Sequence, residues 1–272
     1  MGLMLHCGAH EIKAHELRDI PVPEAVHEYV GRSGHTKTLA RTKKWTGIQH
    51  YDMVAAIDEV CQKKGMPIDL QRTRWGVSDD GGDLFGYVKF ETEVMGRPTI
   101  ISQYLTEEME PTMGFRHSNL SKFAAKGTIG GNVFVCDNMA ITGEIAFNIK
   151  HTCGNVRNII DVMDEGMTKY LNNIPKLGEM VYGLKTTMID DHRLASAYLR
   201  AGRSKLMSWS HLGYVDKLWE NPTHEVFAKA RDGWRLYNAF NTVVKRYSPT
   251  RQFDIVGKLD KIIRPEEKEI CF

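Results

Sequence analysis

The spacing of the hydrophobic residues changes near Gly154, and that change constrains the fold more than any single motif. Before it, apolar residues come in short alternating runs separated by turn residues. After it, they step by three and four. Alternation places successive side chains on opposite faces of a strand, whereas the longer step lines one face of a helix. The pattern predicts an α+β fold, with an antiparallel sheet and helices over residues 1–154 and a mainly helical half over residues 155–272. Nothing around the change reads as a linker, so the two halves are expected to pack as one structural unit.

Tyr51 to Lys64 reads as a helix, with Met53, Val54, Ile57, Val60 and Cys61 at helical spacing and Gly65 and Pro67 as its stop. Strands are expected over Ile68–Val77, Leu84–Val94, Thr99–Leu105, Asn132–Cys136 and Met139–Phe147, with turns at Ser78–Gly82 and Met95–Pro98. Asn119 to Lys126 reads as a short helix. Later helices are expected over Val156–Ile174, Asp190–Ala201 with Asp190 as N-cap, Glu225–Arg246 and Phe253–Ile263. The order helix, three antiparallel strands, helix between Tyr51 and Lys126 is similar to the core of single-strand annealing proteins and phage recombinases.

The chain has 272 residues, enough to bury a sizeable core. Net charge is only +2, so the distribution of charge matters more than its sum. Between Gly31 and Gln49 lie five bases (Arg32, Lys37, Arg41, Lys43, Lys44) and no acid; between Asp79 and Glu110, eight acids against two bases; between Arg231 and Arg264, eight bases against three acids. Such asymmetry suits basic faces that meet a polyanion, and it equally describes a solvated surface. No apolar run reaches membrane-spanning length and no signal-peptide pattern opens the chain, so no membrane partner is expected. The five cysteines are scattered and include no Cys-x-x-Cys pair. A reduced protein in the host cytoplasm is expected, with neither a disulfide framework nor a zinc knuckle.

Arg116, His117, Ser118 and Asn119 form the densest polar cluster. Arg116 offers a planar fork of donors suited to phosphate. On a strand, Arg116 and Ser118 share one side and His117 takes the other, which argues against a His117–Ser118 nucleophilic pair. Ser118 or Asn119 reads better as the cap of a helix starting near Leu120, where free amides also suit an anion. Cys136 and Asn138 flank Asp137 either as a thiol site with His151 as its base or as a turn behind a buried thiol. His151 and Cys153 are too few to hold zinc. The acids Asp79, Asp80 and Asp83 surround Gly81 and Gly82 as a hairpin tip. The chain has no Walker loop, no dinucleotide glycine pattern and no nucleophile elbow. No catalytic residue, metal or cofactor is assigned. His117, Ser118, Asn119, Cys136, Asn138 and His151 are the lining of a candidate pocket.

Nucleic-acid binding has the stronger pattern. Arg41, Lys43 and Lys44 run into Trp45, and Arg72 and Arg74 alternate before Trp75. Basic side chains track phosphates and aromatic faces stack bases, although tryptophans at such positions serve as core equally well.

Four blocks occur in order: Gly114-Phe115-Arg116-His117-Ser118-Asn119, Asn132-Val133-Phe134-Val135-Cys136-Asp137-Asn138, Lys150-His151-Thr152 and Trp234-Arg235-Leu236-Tyr237-Asn238-Ala239. Together they resemble a phage- and plasmid-borne family of unknown function, DUF nine-three-two, in which His117 stands at a slot often held by an asparagine-like residue. The resemblance implies a mobile-element protein encoded near DNA-processing and anti-defence genes, and it carries over no catalytic residues. The expected function is non-enzymatic binding or annealing of single-stranded DNA in recombination by a homo-oligomer, with Arg41, Lys43, Lys44, Arg72, Arg74 and Arg116 on the phosphates. The alternative is an anti-defence protein that binds a host defence protein or a small nucleotide.

Overall fold

The computed structural model describes residues 9–20, 29–30, 36–37, 47–104, 109–120, 124–133, 138–150 and 158–265. Ten strands and seven α-helices lie in these segments and form an α+β fold. Six strands make one antiparallel sheet: β1 (Ala9–Ile12), β4 (Arg74–Ser78), β5 (Asp83–Lys89), β8 (Met109–Ser118), β9 (Ala125–Val133) and β10 (Asn138–Ile149), adjacent in that order. Two small ladders interrupt this meander: β2 (Tyr29–Val30) with β3 (Thr36–Lys37), and β6 (Glu93–Val94) with β7 (Arg97–Pro98). Both tight turns expected from the sequence are present. Gly81 adopts φ +69 between β4 and β5, and Met95 and Gly96 adopt φ +51 and +74 between β6 and β7. Two consecutive positive φ values match the right-handed twist of a two-residue hairpin.

One sheet face carries Trp75, Val77, Leu84, Val88, Met113, Phe115 and Phe147. Helix α1 (His50–Lys63) covers it with Met53, Val54, Ile57, Val60 and Cys61, the residues whose spacing announced the helix. Helix α2 (Ile159–Thr186) is 28 residues long and joins two cores. Its first half packs Met163, Met167, Tyr170 and Ile174 against the sheet, and beyond Pro175 it gives Leu177, Met180 and Leu184 to the helical layer. That layer is completed by α3 (Asp191–Arg203), α4 (Trp209–Glu220), α5 (Glu225–Ala228), α6 (Gly233–Val244) and α7 (Pro249–Ile263). Asp190, Ser208 and Asp232 cap α3, α4 and α6 by accepting from backbone N–H groups two or three residues on.

Several expectations fail for physical reasons. The helix expected over Asn119–Lys126 is not formed: Asn119 and Leu120 make a turn, and Ala125 and Lys126 already belong to β9, paired with Ile149 and Arg116, while residues 121–123 lie outside the described residues. Among the described residues the helix, three-strand, helix order therefore does not occur, and five sheet strands lie between α1 and α2. Thr99–Leu105 holds a 3-10 turn at Ser102–Tyr104 in place of a strand. The strand expected from Ile68 begins at Arg74, since Asp69 draws the intervening residues into a hydrogen-bonded turn. The long helix over Glu225–Arg246 is two helices, because Asp232 caps a new start. Helix α4 was not anticipated.

Candidate functional site

Three of the expected phosphate contacts, Arg41, Lys43 and Lys44, lie outside the described residues, as do Cys136 and His151; Asn138 is described by its backbone alone. The remaining sequence-derived candidates fall into separate environments.

Arg72 is tied into the fold. Its guanidinium bonds the Asp69 carboxylate, Glu110 Oε2 at 2.7 Å and the Phe90 carbonyl at 3.2 Å. Glu110 is 3% exposed and also pairs with Lys89. Burial opposes ionisation of Asp69, yet the hydrogen bonds and charge of Arg72 hold its carboxyl below the usual range. Arg74 faces Glu11 Oε1 at 3.2 Å across the edge of the sheet. Trp75 is buried against Gly86 and Phe115, so it stacks on core residues and not on a base.

The Arg116–Asn119 cluster divides between the two faces as strand alternation requires. His117 is fully buried and meets His50 of α1, with their Nδ1 atoms 2.7 Å apart. His50 Nε2 lies 2.9 Å from the Gly81 carbonyl, which only accepts, so that nitrogen carries the proton. His50 Nδ1 is then the acceptor and His117 Nδ1 donates to it. Burial lowers the pKa of His50, against the raising effects of its Gly81 bond and the Asp83 charge. Ser118 Oγ donates to Asp83 Oδ1 at 2.6 Å and accepts from Leu120 N at 3.1 Å. Asn119 exchanges two bonds with the backbone of Ile48. These residues form a clasp that holds the start of α1 to the β4–β5 hairpin. Among the described residues they cap no helix, and they are sealed from solvent.

Arg116 points to the opposite face, beside its register partner Lys126. Burial depresses the pKa of both, and the charge of Asp254 on α7 opposes that effect. The gap beside them, lined also by Gly114, Phe115 and Thr128, is too narrow to admit a water molecule. Among the described residues, no group of three or more His, Cys, Asp or Glu side chains is placed to hold a metal. No described helix is long and apolar enough to cross a membrane.

A different surface gathers unneutralised charge. Two stretches of sequence contain no acid: His192–Val215, with Arg193, Arg200, Arg203 and Lys205, and Gly233–Phe253, with Arg235, Lys245, Arg246 and Arg251. The fold brings their ends together. Arg251 at the start of α7 donates to the carbonyls of Lys205 and Leu206 in the α3–α4 loop. His211 Nδ1 on α4 meets Tyr247 Oη, just past α6, at 2.6 Å. Arg246 lies 4.1 Å above the ring of Tyr214, and Lys217 lies 5.6 Å from the same ring. Trp209 and Tyr214 are exposed, as are Arg203, Lys205, Lys217 and Arg246. Among the described residues no carboxylate pairs with these four cations. Asp216, on the same helix, accepts instead from Tyr198 at 3.4 Å. Sequence reading noted the basic excess after Arg231 but missed this site. The two acid-free stretches, His192–Val215 and Gly233–Phe253, were the signal that would have found it.

Comparisons with protein-family models, curated proteins and solved structures return no match for this chain.

Proposed function

We propose that this protein binds single-stranded nucleic acid without catalysing a reaction on it, in the DNA metabolism of a mobile element. One observation carries the reading: four exposed cations that pair with no carboxylate among the described residues lie with two exposed aromatic rings at one end of the helical layer. Cations of this kind release counterions from phosphates, and exposed rings stack unpaired bases. The grip moves from the sheet cations to the helical end, because Arg72 and Arg74 are engaged by Asp69, Glu110 and Glu11. Annealing by a homo-oligomer remains part of the proposal. It predicts a species larger than one chain by light scattering, growing when an oligonucleotide is added.

The test is fluorescence anisotropy with a labelled thirty-nucleotide thymidine strand across a salt series. The expected result is binding at 50 mM salt that weakens with a log–log slope of about −3 when four phosphates are neutralised. Absence of binding at low salt contradicts the proposal. A second reading, a phosphate group held by Arg116 and Lys126, draws on these two cations standing side by side as register partners. Calorimetry with short nucleotides tests it, and a null titration removes it.

A further inference from the structure

Lys205 occupies a backbone position that favours glycine. It follows the last turn of α3 with φ +55. Its N–H donates to the Gly202 carbonyl, and the Leu206 N–H donates to the Ala201 carbonyl, each at 3.0 Å. This pair of bonds is the left-handed helix ending that glycine usually supplies, and a side chain there costs stability. Arg251 holds the strained loop from another helix through the Lys205 and Leu206 carbonyls.

Four residues later stands Trp209, 60% exposed. Its six-membered ring lies over Gly202, where a Cβ would come within 2.5 Å of two ring carbons. The ring is thus fixed against the end of α3 while much of it faces solvent. Ser208 sets its direction by capping α4 immediately before it. A lysine in a strained loop and an indole left in water both oppose folding stability. They stand on one elbow, within a stretch that has no acid.

We infer that the α3–α4 elbow is a single-strand grip, with Lys205 on a phosphate and Trp209 beneath an unpaired base. The inference rests on the nucleic-acid reading above and assigns its selectivity for single strands. Duplex bases present only their edges, so an exposed ring face engages a base only when that base is unstacked.

The test uses the full chain with Lys205→Gly and Trp209→Ala, measured with the thirty-nucleotide strand and with a duplex of equal length. Lys205→Gly is expected to raise the urea midpoint while weakening single-strand binding about fivefold and reducing the salt slope by about 0.7. Because this variant gains stability, its loss of binding is not unfolding. Trp209→Ala is expected to weaken single-strand binding about tenfold and leave duplex binding unchanged, with Trp209→Phe restoring most of the loss. Unchanged single-strand affinity and slope in both variants, with binding by the unaltered protein, overturns the grip alone. Failure of the unaltered protein to bind overturns the nucleic-acid reading beneath it.

Discussion

Arg72 in the sheet half and Arg246 in the helical half look equivalent in sequence, each a base near an aromatic residue. Their surroundings differ. Arg72 is held by Asp69 and by Glu110, 38 positions away in sequence, whereas Arg246 lies over Tyr214 and pairs with no carboxylate among the described residues. A buried carboxylate needs its cation, so Arg72 belongs to the fold. An exposed cation over an aromatic ring costs little to hold and keeps its charge for a partner. A basic run therefore locates an interface only when the acids that fold against it are known.

Four measurements break or sharpen this contrast, from the largest effect to the smallest. Removing the Arg72 side chain leaves Glu110 and Asp69 short of a partner, and urea melts should show a loss of about 3 kcal/mol with single-strand affinity per folded molecule unchanged. The converse is expected for Arg203→Gln, Lys205→Gln and Arg246→Gln combined. Anisotropy should report roughly hundredfold weaker binding, equivalent to about 2.7 kcal/mol, with a salt slope shallower by about 2 and little change in the melting midpoint. If the two variants exchange phenotypes, the division between structural and binding cations is wrong.

A third measurement concerns the buried histidines. His50 has a lowered pKa in the folded protein, so the unfolded chain binds the extra proton first. Stability is then complete above the ordinary histidine value of about 6.5 and falls as pH drops below it, by at most about 1.4 kcal/mol per pH unit, until the folded pKa is reached. His50→Gln should flatten this dependence between pH 6.5 and 5, and an unchanged slope would assign it to other groups. The smallest effect is expected for Arg74→Ala. Both Arg74 and Glu11 are about half exposed, so this pair should contribute at most about 0.5 kcal/mol.

Local signals in the sequence were readable where the physics is local. The stripe from Met53 to Cys61 marked α1, Asp190 marked the start of α3, and Ser78–Gly82 and Met95–Pro98 marked tight turns. The helix Asn119–Lys126 was misread because Ser118 and Asn119 carry the signature of a cap. Their bonds run instead to Asp83 and Ile48, which are distant in sequence and invisible to local spacing. Glu225–Arg246 was joined into one helix because its apolar stripe continues across Lys229–Asp232, while Asp232 caps a second start. The strand geometry of Arg116 and His117 was legible, and alternation placed them on opposite faces. The proposed binding surface was not, because it is assembled from two helix ends and two helix starts brought together by Arg251 and by the His211–Tyr247 contact.

Lysine-reactive footprinting of the protein with and without a saturating thirty-nucleotide strand tests the central claim most directly. The account predicts protection of Lys205 and Lys217 at the helical end, with Lys13 and Lys63 in the sheet half reacting equally in both samples. Protection confined to the sheet half, with Lys205 and Lys217 unaffected, would contradict it.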